Sequence, residues 1–463
     1  MHAANPVERL ALRATSLAER YMPDAFVFAL GATLLTLGGA LLVDPAMQAD
    51  PSKLVLAWGN GFWELIRFTL QMCMIVIGGY VLASSPPVAR LIERLAELPR
   101  TGRGAVALVA FAAMISSLLN WGFSLVFGAL FARAAARRRP DADYRALAAA
   151  SFLGLGTVWA QGLSGSAALQ MASPSSMPKA LVEIVGDPIP LTETIFRWQS
   201  IACVAIEVVV VTWVAWLAAP GPERAKNAAA LGVDLRDEAP APGGACTPGE
   251  RFEHSPALLL PVVLLGFSYL FLSIRARSTG IADALNALDF NTINLFLLML
   301  GGLLHWTPAS LMRAVKDATP AAWGVLLQFP FYGGIFGVMT GSQLSHAIAS
   351  VFVHASNATF YPAVIVTYSA VLGMFVPSGG SKWVIEAPYV LQAARQLGVP
   401  DGWMVVSYDL GEAIANLCQP FWMLPILALL GLKARDIMGF TWLVALVLFP
   451  LVLVLVTVFC PAP

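Results

Sequence analysis

Long apolar runs alternate with short polar segments along this chain of 463 residues. About 20 consecutive apolar residues are enough for a helix to cross the hydrocarbon core of a bilayer. Runs at or near this length lie at 25–43, 66–84, 145–165, 194–218, 256–274, 290–304, 319–339, 403–431 and 437–459. The pattern predicts an all-α polytopic membrane protein. We expect the first helix to be retained, since residues 1–24 contain no small-residue cleavage site.

Two further apolar runs, 104–136 and 360–397, are longer and are interrupted in the middle. The first is broken at Asn120–Gly122 and the second at Pro377–Gly380. Each half of the first run has about 15 residues, which is short for a full span. Arginines on both of its flanks place both ends in the cytoplasm by the positive-inside rule. We therefore predict a re-entrant helical hairpin in each run, with two full spans as the alternative.

One polar segment, residues 220–255, divides the chain into two halves. It contains Pro, Gly, Ala and mixed charges, for example at Arg236–Glu238, a composition that indicates a mobile linker. We predict that it is a cytoplasmic linker between residues 25–219 and 275–463. The apolar run at 256–274 is then a connecting helix.

The two halves share features in the same order and at nearly constant spacing. The corresponding features are LTLGGALL (35–42) and LMLGGLLH (298–305), Gln71 and Gln328, and Gly122 and Gly380. Such self-similarity predicts a duplication. With residues 1–24 in the cytoplasm, the first repeat starts from the inside and the second from the outside, so the repeats are inverted.

Each predicted repeat contains one hairpin and one broken helix. These lie at 104–136 and 145–170 in the first repeat, and at 360–397 and 403–431 in the second. Inverted repeats with broken helices are typical of secondary transporters.

Composition indicates that lipid is the main solvent for this chain. Hydrophobic residues make up 58% of it and charged residues 12%, with a mean hydropathy of +0.72, whereas soluble domains have about 25% charged residues. The formal net charge is zero, so the charge balance does not point to a nucleic-acid partner. No cysteine belongs to a CxxC pair, and no nucleophile–base pair or nucleotide loop is apparent. We predict that the chain is not an enzyme and holds no cofactor besides a coupling Na⁺ or H⁺.

Small polar residues gather with Gly or Pro at four breaks, two in each half. The breaks are Asn120–Gly122, Gly162–Ser166, Ser378–Ser381 and Asn416–Pro420. Where a helix is interrupted, its free N–H groups and positive dipole end suit a carboxylate, and its free carbonyls suit Na⁺. The alternative is close helix packing through small residues.

The candidate residues follow from these breaks. Those for substrate binding are Asn120, Trp121, Gly122, Ser164, Gly165, Ser166, Ser378, Gly379, Gly380, Ser381, Lys382, Asn416 and Gln419. Those for the coupling ion are Asn120, Ser166, Ser378, Glu386 and Glu412.

Ionisable residues inside apolar runs are costly, so each is a functional candidate. Lys382 and Glu386 are four residues apart and share one helix face. They suit either substrate attraction with proton transfer or a mutually neutralising structural pair. Glu412 is either a proton-coupling group or an acid held by a neighbouring helix terminus. We expect Glu207 to make an interhelical hydrogen bond.

Long motifs carry a family resemblance over about residues 10–460. They are WGNGFW (58–63), NWGF (120–123), LSGS (163–166), QFPFYGGI (328–335), VPSGG (376–380), WVIEAPYV (383–390), GEAIANLCQPFW (411–422) and RDIMGF (435–440). In these motifs the chain closely resembles the short-chain fatty acid transporter family, whose bacterial members include acetoacetate and butyrate carriers.

The resemblance implies a secondary active transporter that moves short-chain monocarboxylates across the bacterial inner membrane by symport. Because the family is placed in a broader ion-transporter superfamily, it also implies opposed hairpins, a homodimer and an elevator-type movement. The polar positions that match this architecture are Asn120, Ser164, Ser166, Ser378 and Asn416.

The resulting hypothesis places the substrate carboxylate between the two hairpin tips and its acyl tail against Phe123, Phe375 or Trp383. The alternatives are a dicarboxylate transporter of the same superfamily, an anion channel and a membrane enzyme. A dicarboxylate would need a second anion-binding group, and a channel would not need paired hairpins.

Overall fold

Helices account for all the regular secondary structure that is described. The computed structural model describes residues 25–173, 177, 179–235, 247–278, 280–374 and 378–461. The predicted all-α class is confirmed. The predicted segment 1–24, part of the 220–255 linker, Phe375 and Pro377 lie outside the described residues.

The α-helices follow one another with short connections. In the first half they are α1 (Ala25–Val43), α2 (Pro45–Ala49), α3 (Pro51–Gly61), α4 (Ile66–Ala83), α5 (Pro86–Ala96), α6 (Gly102–Leu119), α7 (Trp121–Arg138), α8 (Tyr144–Gly156), α9 (Ser166–Ala172), α10 (Lys179–Val185) and α11 (Trp198–Ala218). After these come α12 (Pro248–Glu253), α13 (Leu259–Arg277), α14 (Ile281–Asn286), α15 (Phe290–His305), α16 (Pro308–Ala318), α17 (Trp323–Gly341), α18 (Leu344–Ala355), α19 (Tyr361–Gly373), α20 (Gly379–Leu397), α21 (Asp401–Cys418), α22 (Leu424–Leu430) and α23 (Ala434–Val458).

Six helical segments of the described chain are long and apolar enough to cross a membrane. They are Pro51–Ala83, Gly102–Leu119, Trp198–Ala218, Leu259–Arg277, Trp323–Gly341 and Ala434–Val458. The pair Tyr144–Gly156 and Trp159–Ala172, bent by 40°, adds a seventh if it is counted as one span. The protein is therefore a multi-pass membrane protein.

The arms of the first predicted hairpin are longer than the sequence pattern suggested. Helices α6 and α7 each have 18 residues and meet at Asn120. The polar break thus takes up a single residue, because Asn120 ends one helix and begins the next. Arm length therefore does not by itself separate a re-entrant hairpin from two spans.

Helices of the two halves pack reciprocally. From the first half, α1 and α3 pack on α17, while from the second half, α15 and α16 pack on α4. The α3–α17 approach requires glycine, because a Cβ at Gly61 would lie 2.5 Å from the carbonyl oxygen of Gly333. Helix α4 of the first half and helix α17 of the second half are therefore each packed against helices of the other half. The boundaries of the repeats stay predictions.

The loop after α1 is also attached to the second half. The Asp44 carboxylate accepts hydrogen bonds from the backbone N–H groups of Gln343, at 3.0 Å, and Ala46, at 2.8 Å. The bond from Gln343 is the main cause that lowers the pKa of Asp44 below its usual value. This connection between the halves therefore stays ionised at neutral pH.

Two helices are interrupted where the sequence predicted breaks. Helix α8 is followed by a 3₁₀ turn at Trp159–Gln161 before α9 begins. Helix α21 is followed by Pro420, which has no backbone N–H to continue the ladder, and by the 3₁₀ turn Phe421–Met423 before α22. Helix α8 packs between the arms α6 and α7, and α21 packs on α19, so each broken helix lies against its own hairpin.

Candidate functional site

The first hairpin tip is closed by hydrogen bonds. Asn120 caps α7 by accepting a hydrogen bond from the backbone N–H of Phe123 at 2.8 Å. Its amide donates to the carbonyl oxygen of Ile75, in the middle of α4, at 3.3 Å. The neighbouring Gly122 lies beside Val76 of the same helix. The tip is therefore fixed to α4.

The same tip is tied to the break in the first broken helix. The Ser164 hydroxyl accepts a hydrogen bond from the backbone N–H of Trp121 at 2.9 Å. The backbone N–H of Leu163 donates to the carbonyl oxygen of Leu118 at 2.7 Å. Gly165 is the N-cap residue of α9. Two predicted breaks that are more than 40 residues apart are therefore in direct contact.

The described part of the second hairpin tip lacks a side-chain cap. Ser378 stands at the N-cap of α20, but its side chain caps no backbone N–H and instead bonds to the Ser381 hydroxyl. No described residue accepts a hydrogen bond from the backbone N–H groups of Gly379, Gly380 or Ser381. A helix leaves its first N–H groups unpaired, so this N-terminus offers donors to an anion.

The second tip also touches the first broken helix. A Cβ at Gly380 would lie 2.5 Å from Phe68 Cζ and 2.9 Å from Ser166 Cβ. A Cβ at Gly379 would lie 3.0 Å from Trp159 Cη2. Only glycine allows the α20 backbone to come this close to α4 and α9.

The second helix break joins the same place. Asn416, near the end of α21, donates a hydrogen bond to the carbonyl oxygen of Leu155 in α8 at 3.3 Å. Gln419 donates to the Asn416 side-chain oxygen at 3.0 Å. The two broken helices are therefore in direct contact.

A small cavity lies where the tips and breaks converge. Its lining residues are Met72, Trp121, Leu155, Trp159, Ser166, Val325, Phe329, Ser378, Gly379, Gly380, Asn416 and Trp422. Its volume is about 30 Å³, room for roughly two water molecules. The indole N–H groups of Trp121 and Trp159 are buried and find no hydrogen-bond acceptor among the described residues.

Several predicted residues line this cavity and others support it. Trp121, Ser166, Ser378, Gly379, Gly380 and Asn416 line it. Asn120, Gly122, Ser164, Gly165, Ser381 and Gln419 belong to the tips and breaks behind the lining. Sequence reasoning missed Met72, Leu155, Trp159, Val325, Phe329 and Trp422. Of these, Trp159 was detectable, because it lies in the chain just before Gly162.

The sequence hypothesis placed an acyl tail against Phe123, Phe375 or Trp383, but neither Phe123 nor Trp383 lines the cavity. Phe123 stacks on Phe127, with ring centroids 5.3 Å apart, and does not line the cavity. Trp383 packs on Tyr408, with ring centroids 4.7 Å apart, and does not line it either. Phe375 lies outside the described residues.

The charged candidates lie behind the cavity rather than in it. Lys382 Nζ is 2.6 Å from Glu412 Oε2 and 4.0 Å from Glu386 Oε1. Glu412 is therefore held by Lys382 and not by a helix terminus. Glu207 in α11 is fully buried, and neither of its oxygens has a hydrogen-bond partner among the described residues. The expected interhelical bond of Glu207 is absent from this part of the structure.

Metal-binding geometry is not found among the described side chains. No group of three His, Cys, Asp or Glu residues there is arranged to hold a metal ion. Carbonyl oxygens, which suit Na⁺, are present at both helix breaks, and the first break also has the hydroxyl oxygens of Ser164 and Ser166. Na⁺ and H⁺ therefore both stay predictions for the coupling ion.

Comparison with known sequences gives matches over nearly the whole chain. A sequence profile of the short chain fatty acid transporter family matches residues 6–460. A protein of Escherichia coli (strain K12) is 37% identical over 442 residues, with 94% of this chain and 96% of that protein covered. A protein of Haemophilus influenzae is 34% identical over 443 residues, with the same coverage. Both carry the provisional name short-chain fatty acid transporter.

Two solved structures share the fold. The YdaH transporter of Alcanivorax borkumensis, described as having an unusual topology, matches with a TM-score of 0.58 at 17% identity, over 95% of this chain and 100% of that one. MtrF of Neisseria gonorrhoeae, described with a class of antimetabolite efflux pumps, matches with a TM-score of 0.50 at 13% identity, over 97% of each chain. At these identities the likeness concerns the fold alone.

Proposed function

This chain belongs to the short-chain fatty acid transporter family, and we propose that it carries monocarboxylates of the butyrate and acetoacetate type across the bacterial inner membrane by ion-coupled alternating access. The family is one of transporters and not of enzymes. The observation that carries the proposal is the cavity in which both hairpin tips and both helix breaks meet.

The chemistry of the cavity suits a short acid. Its apolar wall is built from tryptophan, phenylalanine, leucine, valine and methionine side chains. Its polar part consists of Ser166, Ser378 and Asn416 together with the open N-terminus of α20. A carboxylate there would accept hydrogen bonds from the α20 backbone and from the indoles of Trp121 and Trp159. The acyl tail would lie against the apolar wall.

The charge of the lining favours one carboxylate over two. No Lys, Arg or His is among the described lining residues. Backbone and indole N–H donors can compensate a single delocalised charge, whereas a second buried carboxylate would need a further partner. The proposal therefore prefers a monocarboxylate to a dicarboxylate.

The size of the cavity supports alternating access. A short-chain acid has more heavy atoms than two water molecules, so the cavity of about 30 Å³ has to widen to admit it. One wall comes from Met72 of α4 with Val325 and Phe329 of α17, and the other from the tips and breaks. An elevator-type movement of the tips relative to α4 and α17 would separate the two walls, and it would break the hydrogen bond that attaches Asn120 to Ile75 of α4 in this conformation.

Two further features support the proposed arrangement in the membrane. Asn120 bonds to Ile75, ten residues into α4, as expected if the first hairpin is re-entrant and ends near mid-depth. In α13, 11% of the span window is buried within the chain, so its outer face is available to lipid or to a second copy. The homodimer and the cytoplasmic N-terminus remain parts of the proposal.

The main test is uptake of labelled butyrate and acetoacetate into proteoliposomes, with Na⁺ and pH gradients imposed in turn. We expect saturable uptake that unlabelled short monocarboxylates inhibit more strongly than succinate. Stronger inhibition by succinate would favour the dicarboxylate alternative, and linear flux without saturation would favour a channel. Because a neutral acid crosses lipid unaided, protein-free liposomes are the control.

The Trp159 indole provides a sharper test of the site. Trp159→Phe keeps the aromatic ring and removes the N–H donor. It should raise the apparent Michaelis constant for butyrate roughly tenfold or more, since a hydrogen bond to a charged group contributes about 1.5–3 kcal/mol. Trp442→Phe is the matched control, because its buried indole N–H also lacks a partner in the described chain but lies outside the cavity. Equal effects in both variants would contradict the assignment.

A further inference from the structure

Four ionisable side chains that do not line the cavity are buried together next to Gly379. Lys382 and Glu386 come from α20, and Asp409 and Glu412 come from α21. Each is exposed by no more than 1%. We refer to these four residues as the charge cluster. Only Lys382, Glu386 and Glu412 were singled out from the sequence.

Lys382 has two carboxylates within reach. Its Nζ lies 2.6 Å from Glu412 Oε2 and 4.0 Å from Glu386 Oε1. It also donates to the backbone oxygen and the hydroxyl of Ser369, at 2.8 and 3.0 Å. Asp409 is an electrostatic neighbour of both Glu412 and Lys382 and lies near the backbone amide of Ala168. A small shift of the ammonium would exchange one carboxylate partner for the other.

The cluster has more acids than cations. Lys382 is the one cationic side chain that the described residues place against its three carboxyl groups. An uncompensated buried carboxylate costs several kcal/mol. Neither oxygen of Glu386 accepts a hydrogen bond from a described residue. The cluster therefore needs bound protons to be stable inside a membrane.

Among the described residues, the other titratable groups around the cluster are tyrosines. They come from α17, α19, α20 and α21, and they are Tyr332, Tyr361, Tyr368, Tyr389 and Tyr408. The hydroxyls of Tyr368 and Tyr389 are 2.9 Å apart. These hydroxyls are uncharged at neutral pH, so they can pass or hold a hydrogen bond but do not neutralise the carboxylates.

The cluster and the cavity share a wall. The Tyr408 hydroxyl donates a hydrogen bond to the carbonyl oxygen of Gly379 at 2.6 Å, and Lys382 Nζ lies 4.9 Å from the centre of the Tyr408 ring. A Cβ at Gly379 would lie 3.2 Å from Glu412 Cγ. A movement of Lys382 or Glu412 would therefore displace groups that contact Gly379 at the second hairpin tip.

We propose that the charge cluster is the proton-coupling site of this transporter, with Glu412 as the carboxyl group that takes up and releases the proton. The proposal rests on the proposed function and adds the identity of the coupling ion. When Glu412 is protonated, the Lys382 ammonium turns towards Glu386. When Glu412 loses its proton, the ammonium returns to it. Asp409 holds a proton throughout and keeps the site near neutrality.

The proton balance is simple. One proton from water on the entry side binds a Glu412 oxygen while one carboxylate anion enters the cavity. After the transition, the anion leaves and the same proton returns to water on the other side. No bond other than O–H forms or breaks. Because one positive and one negative charge move together, a membrane potential should not drive uptake.

The first experiment compares driven uptake with exchange in proteoliposomes of the full chain. Glu412→Gln keeps the shape of the side chain and cannot gain or lose a proton. It should lose the stimulation of butyrate uptake by a pH gradient but still exchange labelled for unlabelled butyrate at equal pH on both sides. Accumulation driven by a pH gradient in Glu412→Gln would overturn the proposal. So would wild-type uptake that responds to a Na⁺ gradient and not to pH.

Glu207→Gln is the matched control. Glu207 is also a fully buried membrane carboxyl group, but it lies in α11, away from the cluster and the cavity. It should keep the pH-gradient stimulation of the wild type. Loss of stimulation in both variants would show a general effect of removing buried acids and would contradict a special role for Glu412.

A substrate-free measurement separates this proposal from the transport proposal. Infrared difference spectra of the purified protein between acidic and alkaline pH should contain a protonated carboxyl band that titrates. The band should be lost in Glu412→Gln and kept in Glu207→Gln. If no short acid is transported but this result holds, the proposed function fails and the proton site stands. If acids are transported and the band persists in Glu412→Gln, the proton site fails alone.

Discussion

The two hairpin tips, which the sequence pairs as equivalent positions of the predicted repeats, differ in the bonding of their helix N-termini. At the first tip, Asn120 caps α7 and bonds to Ile75, and Ser164 accepts the N–H of Trp121. At the second tip, Ser378 caps no N–H group, and the first donors of α20 have no acceptor among the described residues. Among the described residues, side chains accept two of the first N–H groups of α7, whereas no side chain or carbonyl accepts the first N–H groups of α20.

This difference suggests that the two tips have different tasks. A tip that satisfies its own donors holds the hairpin in place, since breaking such buried hydrogen bonds is costly. A tip that leaves donors unpaired can give them to a carboxylate. The charge cluster lies behind the second tip. The free backbone donors and the proposed coupling site would thus lie in the second half, while the first half contributes the indoles of Trp121 and Trp159 to the cavity.

The largest effect is expected from filling the second tip. In Gly380→Ala, the added Cβ would lie 2.5 Å from Phe68 and 2.9 Å from Ser166, and such overpacking costs about 1–3 kcal/mol. Uptake of butyrate should be lost. At the corresponding Gly122, an added Cβ would lie 3.3 Å from the Asn120 oxygen, so Gly122→Ala should retain most uptake. Initial rates at equal reconstitution levels measure both, and equal losses would remove the distinction between the tips.

A second pair of variants separates stability from binding. Asn120→Ala removes a helix cap, which contributes about 1 kcal/mol, and a buried bond to Ile75, so it should lower the melting temperature in detergent. Ser378→Ala removes no cap and should leave the melting temperature nearly unchanged while raising the apparent Michaelis constant. The opposite assignment of the two effects would reverse the roles of the tips.

The smallest effect is expected at the wall that faces the tips. Val325→Ala enlarges the apolar side of the cavity. Each buried methylene contributes about 0.8 kcal/mol, so the preference for pentanoate over butyrate, which differ by one methylene, should rise roughly fourfold. Competition between labelled butyrate and unlabelled acids of increasing length measures this. An equal loss of affinity for all acids would instead place the carboxylate near Val325 and not at the second tip.

Much of the site follows from local sequence signals. Asn120, Ser166, Ser378 and Asn416 could be selected because small polar residues next to Gly or Pro stand out within apolar helices. Asp409 carried a similar signal, as an acid three residues before Glu412 in a buried helix. The cavity's aromatic wall carried none, because Phe329 and Trp422 look like ordinary membrane residues in sequence.

The pairing of Lys382 shows where sequence reasoning stops. Helical spacing predicts contact with Glu386, four residues on. The structure instead places Glu412 of another helix closer, at 2.6 Å against 4.0 Å. Spacing gives the face on which a side chain lies, but the neighbour on that face depends on which helix packs there.

The sequence by itself determined the helical class, the membrane as solvent and the positions of the four breaks. These depend on the length of apolar runs and on residues that interrupt a helix, both of which are local properties. Only the tertiary structure decided that the breaks meet around one cavity, that side chains cap the first tip but, among the described residues, not the second, and that Lys382 pairs with Glu412. Those facts depend on contacts between helices far apart in the chain, and apolar membrane helices carry little in their own pattern to specify such partners.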